Sequence, residues 1–123
     1  NNKIGSHFAP HLLNHKELLC CCNIGTSSVI CKKKIFRKIK FPSLSTQEDY
    51  VVWLKISKLM KIYALNIKLS SWRNSKQSIS KNIFRKIFNA YLVYYKFNGE
   101  KVFYSLYRLI ILIYYNLKKK NFF

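Results

Sequence analysis

The sequence predicts an α/β fold with few short strands, followed by two C-terminal helices. Three segments, 45–59, 80–96 and 102–117, carry apolar residues at the spacing of one helix face. Two segments favour strands: 27–31 through its β-branched residues, and 61–69 through partial alternation of apolar and polar side chains. Because the chain has 123 residues, these elements are expected to make at most one small domain with a modest core.

The N-terminal third is predicted to contain one short helix before the first strand. Residues 1–14 show no periodicity and are expected to form an irregular lead-in. The helix is predicted to run from about 15 to 22 and to turn its leucines inward. A turn over 23–26 separates it from the strand candidate at 27–31.

The central helix is predicted to begin with acidic residues. Phe41-Pro42 stops any helix in the basic stretch before it. Ser45 or Thr46 is the candidate N-cap, and Glu48 and Asp49 fall in the first turn, where the helix dipole favours negative charge. The helix is expected to end near Leu59. Its buried stripe is predicted to comprise Val52, Trp53, Ile56 and either Leu59 or Met60.

Beyond the central helix the sequence predicts strands first and then a helix. The segment 61–69 is interpreted as a strand pair that turns near Asn66, and 72–80 as a polar loop. The helix over 80–96 is expected to end at Asn98-Gly99, a pair that breaks helices. Its inward face is predicted to comprise Ile83, Ile87, Ala90, Tyr91 and Tyr94.

The last predicted helix, 102–117, is the most apolar element and carries one charge, Arg108, near its middle. A membrane span needs about 20 apolar residues and a central Arg opposes insertion, so this helix is not expected to span a bilayer. It is expected to pack on the domain or to lie in a membrane interface. Rings and cations that suit a headgroup region are Tyr104, Tyr107, Tyr114, Tyr115 and Lys118–Lys120.

The charge balance narrows the classes of function. Lys and Arg number 23 against 4 Asp and Glu, which gives a formal net charge of +19. Hydrophobic residues make up 50% of the chain and aromatic residues 16%, so it is not a disordered basic tail. A chain with this charge would bind any polyanion without sequence specificity. Because no zinc finger, KH loop or RNP-like aromatic motif occurs, no specific nucleic-acid partner is expected.

The cysteines and histidines do not make a strong metal motif. Three of the four cysteines are adjacent and no Cys-x-x-Cys occurs, which indicates a reducing compartment. Histidines spaced by four could share a helix face and offer zinc ligands, but Pro10 interrupts that stretch. The sequence therefore predicts no metal site. The residues concerned are His7, His11, His15, Cys20, Cys21, Cys22 and Cys31.

Asp49 is the one Asp in the sequence, and it stands beside Glu48. Any site that needs two Asp residues, such as an Asp-x-Asp metal clamp, is therefore excluded from this chain. A phosphate-binding Gly-rich loop with lysine and a GxGxxG loop are absent as well. On residue types alone, the acidic pair is most simply explained as a helix start.

Several short motifs occur in a particular order, and they suggest a further interpretation. They are NIGTSSVI at 23–30, FP at 41–42, QEDY at 47–50 and WL at 53–54. This series resembles the C-terminal half of bacterial family 2 glycosyltransferases with the GT-A fold. The stretch from Trp72-Arg73 to Ser80 is similar to a substrate loop of that family. The aromatic and basic ending resembles the helices that close many capsule and lipopolysaccharide transferases.

The resemblance implies roles for particular residues. Asp49 stands where the family places its general base, which takes the proton of the acceptor hydroxyl during a single inverting displacement. Glu48 would shape the acceptor pocket or raise the basicity of Asp49. Arg73 would pair with the diphosphate leaving group, and Trp72 lies beside it in the same substrate loop. The alternative for Arg73 is a solvated loop cation.

The resemblance also implies a division of the chain and a missing partner. Residues 1–78 correspond to the C-terminal part of a GT-A-like domain and 79–123 to a helical, aromatic and basic extension. The nucleotide-sugar donor and a divalent metal, Mn or Mg, are expected only in the complete enzyme, with the N-terminal half that this chain lacks. The chain is thus expected to be inactive alone, either as a piece of a larger enzyme or as the remnant of a disrupted gene.

A non-enzymatic function remains as an alternative. A basic protein whose last helix is amphipathic would bind an anionic membrane surface, where each lysine contributes about 1 kcal/mol. The two interpretations are compatible, because a transferase that uses a glycan or lipid-linked acceptor works at the membrane. The expected location is the cytoplasm, with peripheral contact at the inner face of the cell membrane.

Overall fold

Helices dominate the part of the chain that the computed structural model describes, which is residues 11–65, 67 and 82–120. A two-stranded ribbon accompanies them, so the structure is mixed α/β and mostly helical, in agreement with the predicted class at that level. The elements in chain order are β1 (Leu12–Leu13), α1 (His15–Cys20), α2 (Ile35–Lys38), α3 (Glu48–Leu59), β2 (Ile62–Tyr63), α4 (Ile83–Leu92) and α5 (Val102–Lys120).

The ribbon joins the segment just before α1 to the segment just after α3. Leu12 pairs with Tyr63 and Leu13 with Ile62 in antiparallel register, and the Ala64 N–H donates to the backbone carbonyl of residue 11 at 2.9 Å. A strand near 61–69 is thus confirmed, but its partner is β1, so the prediction of an irregular segment up to residue 14 was wrong there. The turn predicted near Asn66 lies outside the described residues.

The strand predicted at 27–31 does not form. Thr26–Ser28 makes a single 3-10 turn, in which the Ser28 N–H and hydroxyl both donate to the Gly25 carbonyl, at 3.0 and 2.8 Å. Ile30 beyond it is 96% exposed. β-Branched residues favour strands only where a neighbouring strand and a half-buried face receive them, and β1 and β2 pair with each other instead.

α1 is confirmed, although it ends two residues earlier than predicted. Its start is a capping box: the Asn14 side chain accepts from the Glu17 N–H at 2.9 Å, and Glu17 Oε2 accepts from the Asn14 N–H at 3.2 Å. Leu18 and Leu19 are buried. The helix is only six residues long and thus depends on packing for its stability.

α3 is the central element of the core, but its start differs from the prediction. Neither Ser45 nor Thr46 caps it, because both hydroxyls accept from the Asn89 amide of α4, at 3.2 and 2.8 Å. The residue at the cap is Gln47, whose side chain makes no capping hydrogen bond. Val52, Trp53 and Ile56 are buried as predicted, whereas Leu59 and Met60 are exposed.

The core consists of two clusters that share α3. The larger one draws residues from α1, α3, α4 and α5. The smaller one packs the opposite side of α3 against the segment around α2. α3 is therefore enclosed on both sides. The buried residues of the larger cluster are Leu18, Leu19, Tyr50, Val51, Leu54, Ala90, Val93, Tyr94 and Leu112, and those of the smaller are Ile39, Val52, Trp53 and Ile56.

The C-terminal helices follow the predicted pattern with one change of face. α4 continues through a π-helical turn, Val93–Phe97, and the chain then bends at Gly99, where φ is 75°. Ala90 and Tyr94 are buried as predicted, but Ile83 is exposed. Within the described residues, no helix has both the length and the apolarity that crossing a membrane requires.

Candidate functional site around Asp49

Asp49 lies in the first turn of α3 with both carboxylate oxygens engaged. Its Oδ2 accepts a hydrogen bond from the Thr26 hydroxyl at 2.8 Å, and its Oδ1 accepts from the Tyr50 N–H at 2.8 Å. The side chain is half-buried, and the bond to Thr26 is exposed at the surface. Because each carboxylate oxygen has two lone pairs, both oxygens keep the capacity to accept a further hydrogen bond.

Thr26 brings two of the resembling motifs together. It belongs to NIGTSSVI, whereas Asp49 belongs to QEDY, and 23 residues separate them in sequence. The 3-10 turn that begins at Thr26 holds the hydroxyl in place, since Ser28 closes the turn onto Gly25. Sequence reasoning placed Thr26 in the turn before a strand and gave it no role. The one available signal was a hydroxyl inside a motif of the resemblance.

The backbone before the acidic pair has a rare conformation. Gln47 has φ 65° and ψ 17°, in the left-handed region, which a residue with a side chain adopts at a cost of about 1–3 kcal/mol. Its amide Nε2 donates to the Lys86 carbonyl of α4 at 3.3 Å. Such outliers concentrate at functional sites. This one directs the chain into α3 immediately before Glu48 and Asp49.

Behind Asp49, a buried pair of tyrosines supports the helix. The Tyr50 hydroxyl lies 2.6 Å from the Leu18 carbonyl and 2.9 Å from the Tyr94 hydroxyl, which lies 3.0 Å from the Leu19 carbonyl. Two hydroxyl hydrogens thus serve three contacts. These carbonyls are among the last of α1, which lack partners within their own helix. The residue after Asp49 is therefore fixed from inside the core.

Burial perturbs both tyrosines in the same direction. Desolvation raises the pKa of Tyr50 far above its ordinary value, and the neighbouring Tyr94 raises it further. Desolvation likewise raises the pKa of Tyr94, although the hydrogen bond with Tyr50 opposes the shift. Both phenols are neutral at physiological pH, so their role is to hydrogen-bond the end of α1 and not to act as acids or bases.

The structure places the other predicted site residues only in part. Glu48 is the first residue of α3 and is half-buried beside Asp49, as the sequence implies. Trp72 and Arg73 lie outside the described residues, so their substrate-binding roles stay predictions. Nothing in the described ranges bears on the distance between these residues and Asp49.

The described residues do not fit a metal. Among them, no group of three His, Cys, Asp or Glu side chains could hold an ion. Asp49 is held by a hydroxyl and a backbone N–H, and no second Asp exists in the sequence to complete a clamp. The residues of this chain that are described therefore provide no site for Mn or Mg.

Comparison with known proteins finds similarity to two transferases of Escherichia coli. One is the UDP-Glc:alpha-D-GlcNAc-diphosphoundecaprenol beta-1,3-glucosyltransferase WfgD, 34% identical over 89 residues, which are 71% of this chain and 35% of the relative. The other, WfaP, carries the same functional description and is 33% identical over 84 residues, 68% of this chain and 33% of the relative. These similarities confirm the predicted resemblance to bacterial glycosyltransferases.

The matched part is small relative to those enzymes: it spans 35% and 33% of their lengths. No protein-family model matches the sequence. No solved structure matches it either.

Proposed function

Because the chain is similar over most of its length to bacterial glycosyltransferases, we propose that it is the acceptor-side part of such an enzyme. It would move a sugar from a nucleotide-sugar to a hydroxyl of a glycan or lipid-linked acceptor. The two relatives support this class, since their names give UDP-Glc as donor and a GlcNAc-diphosphoundecaprenol as acceptor. In this proposal residues 1–78 belong to a GT-A-like domain and 79–123 form its helical extension.

The contact between Thr26 and Asp49 is the observation that carries the mechanism. The hydroxyl fixes one carboxylate oxygen at the surface, and the N-terminus of α3 favours the negative charge. An acceptor hydroxyl could approach a free lone pair of the same carboxylate. Asp49 is thus held in place, ionisable and accessible, as a general base must be.

The proposed step is one displacement with inversion. Asp49 takes the proton of the acceptor hydroxyl while that oxygen forms a bond to the anomeric carbon. The bond from this carbon to the diphosphate oxygen breaks, and the nucleoside diphosphate leaves with the electron pair. Thr26 positions the base, and Glu48, the adjacent carboxylate, shapes the acceptor side of the pocket.

Arg73 and Trp72 complete the proposed site. A guanidinium at position 73 would pair with the diphosphate, whose charge grows as the bond breaks. Trp72 would contact the sugar or the acceptor beside it. The nucleotide and the divalent metal would be held by a part of the enzyme outside this chain, so we propose that the chain alone is inactive. Because the acceptor of the two relatives is lipid-linked, we also propose that the complete enzyme acts at the inner face of the cell membrane.

The test is a chimera in which residues 1–123 replace the matching segment of WfgD. Transfer of glucose from UDP-Glc to the lipid-linked acceptor is measured, and circular dichroism checks that each variant folds. Asp49→Asn keeps the shape of the side chain: its amide oxygen can accept from the Tyr50 N–H while its amide nitrogen donates to the Thr26 hydroxyl oxygen. It cannot take a proton, so kcat should fall by about 100- to 10,000-fold. KM should change little.

Two control series make the assignment specific. Thr26→Val should lower kcat by about tenfold and Thr26→Ser should retain the parent value, because Val lacks and Ser keeps the hydroxyl that helps to position the base. Glu48→Gln should have a smaller effect than Asp49→Asn. If the folded chimera transfers glucose equally well with Asn at position 49, the proposed mechanism is wrong. A folded chimera that transfers no glucose even with Asp49 intact would instead favour the alternative, a basic membrane protein without enzymatic function.

A further inference from the structure

The side of α5 that faces away from the core is apolar. We define its outer face as Phe103, Tyr107, Ile110, Tyr114 and Leu117, which recur every three or four residues and so form one stripe. Each side chain is between 57% and 85% exposed. At 1.5 Å per residue the stripe is about 21 Å long.

This stripe lies opposite the residues that α5 buries. Ser105 and Leu112 are the buried side chains of the helix among those described, and Leu109 packs partly against the core. A surface helix normally turns polar residues outward, and a helix that is apolar all round is normally enclosed. Contiguous exposed apolar surface of this kind marks an interaction site. The outer face therefore calls for an apolar partner.

α4 repeats the pattern. Phe84, Phe88 and Tyr95 are exposed, and together with the half-buried Tyr91 they follow the same spacing of three or four residues. The Tyr91 and Tyr95 rings stack with their centroids 5.5 Å apart. α4 and α5 contact each other. Two neighbouring helices thus carry aromatic stripes outside the core.

The charges around these stripes are positive with one exception. α5 contains no acidic residue and its sequence ends in three lysines, while α4 carries Arg85 and Lys86. The one acidic residue between the two helices, Glu100, is engaged: its Oε1 accepts from the Asn98 amide at 2.8 Å and lies 3.8 Å from Arg108 Nε. A partner must therefore provide an apolar layer that covers the exposed side chains, together with negative charge near the lysines and arginines.

An anionic bilayer has both properties. Aromatic rings and leucines enter the boundary between headgroups and acyl chains, and lysines reach the phosphates. A second copy of the chain fits less well, because it brings the same net charge of +19. Nucleic acid offers negative charge but no apolar layer that would cover the outer face.

We propose that α5 lies in the plane of an anionic membrane interface with its outer face in the headgroup and acyl boundary. The helix rests on the membrane and the rest of the chain stays on the aqueous side. This inference does not depend on the proposed sugar transfer, since it rests on exposure, spacing and charge in α5 and the neighbouring α4.

The experiment measures binding of the 123-residue chain to vesicles by co-sedimentation. Vesicles of phosphatidylcholine alone are compared with vesicles that also contain phosphatidylglycerol, at low and high salt. Strong binding is expected only with the anionic lipid and should weaken with salt. The double variant Phe103→Ser/Ile110→Ser, which leaves the charge unchanged, should bind about tenfold more weakly.

A matched control distinguishes binding through the outer face from non-specific binding through any exposed apolar side chain. Leu59 and Leu65 are 68% and 70% exposed but lie outside α5. The variant Leu59→Ser/Leu65→Ser should therefore bind like the parent chain. The proposal is overturned if the outer-face variant binds anionic vesicles undiminished, or if both lipids bind equally. It is also overturned if ultracentrifugation shows a dimer that the outer-face variant dissociates, because the face would then join two copies.

Discussion

α3 and α5 are both rich in apolar residues, yet they have opposite environments. In α3 the five consecutive residues from Tyr50 to Leu54 are each at most 3% exposed, because α1 and the C-terminal segments cover one side and the α2 segment covers the other. α5 is longer, but its described side chains contribute only Ser105 and Leu112 to the buried set. Apolar content alone therefore does not determine burial.

What differs is the number of neighbours that each helix has. α3 lies between two clusters, so two sides of it find packing partners. α5 rests on α1 and α4 through one side, and its other side faces outward. Substitutions of equal chemistry should thus have very different effects in the two helices.

The largest contrast is expected for aromatic residues truncated to alanine. Trp53 is 3% exposed in α3 and Phe103 is 85% exposed in α5. Trp53→Ala should lower the free energy of unfolding by about 3–5 kcal/mol, through lost burial and the cavity that remains. Phe103→Ala should change it by about 0.5 kcal/mol at most. Urea denaturation of both variants measures the difference, and equal effects would contradict it.

A smaller effect is expected at the tyrosine pair. Tyr94→Phe removes the hydroxyl that lies 3.0 Å from the Leu19 carbonyl, and so leaves this buried acceptor short of a donor. The free energy of unfolding should fall by about 1–3 kcal/mol. As a comparison, Tyr104→Phe removes an equivalent hydroxyl from an exposed ring of α5. That variant should match the parent chain in the same denaturation experiment.

The same pair should also affect how the free energy of unfolding depends on pH in the alkaline range. Burial raises the pKa of Tyr94 in the folded state, so its stabilising contribution is complete below the pKa of about 10 in the unfolded chain. It is lost as the pH rises from there through the folded-state pKa. Stability of the parent chain should therefore decline more steeply above pH of about 10 than that of Tyr94→Phe.

The smallest effect is expected at His15, where α1 meets α3. Ser57 donates to the Leu54 carbonyl at 2.9 Å, so His15 Nδ1, 2.8 Å from the Ser57 oxygen, is the donor in that contact. Burial lowers the pKa of His15, and the charges of Lys58 and Arg108 lower it further. Protonation of the second ring nitrogen is therefore unfavourable in the folded state.

The sign of the pH dependence follows from this shift. The unfolded chain binds the proton more readily, so the contribution of His15 is complete above pH 6.5 and is lost as the pH falls through its lowered pKa. Thermal unfolding at several pH values should show a falling midpoint on the acid side. His15→Asn, which keeps a donor near the position of Nδ1, should show a shallower fall, and an unchanged slope would contradict the prediction.

Local periodicity was sufficient to predict four of the five α-helices described, and no helix was predicted over α2, Ile35–Lys38. α1, α3, α4 and α5 all lie where apolar spacing placed them. The errors concern partners distant in sequence. The strand at 27–31 lacks a neighbour, β2 pairs with residues 12–13, and Thr46 serves Asn89 of α4 instead of capping α3. A tertiary contact decided each outcome, and no local pattern carries that information.

The candidate site shows the same division. The motif series identified Asp49 as a candidate, and the structure places it at the start of a helix with its carboxylate at the surface. The contact with Thr26 was not foreseen, because it depends on a turn where the sequence favoured a strand. Gln47 gave no signal either, since glutamine has no preference for the left-handed region.

The bonds from the tyrosines to α1 have a consequence for biosynthesis. The donor for the Leu19 carbonyl is Tyr94, 75 residues later in the chain. At about 5–20 residues per second, that stretch takes about 4–15 s to translate. During those seconds the Leu19 carbonyl lacks its final donor, and the leucines of α1 can pack only against α3, without the part of the cluster that α4 and α5 contribute. A nascent chain that stalls before residue 94 would thus present an unfinished helix to the quality-control machinery.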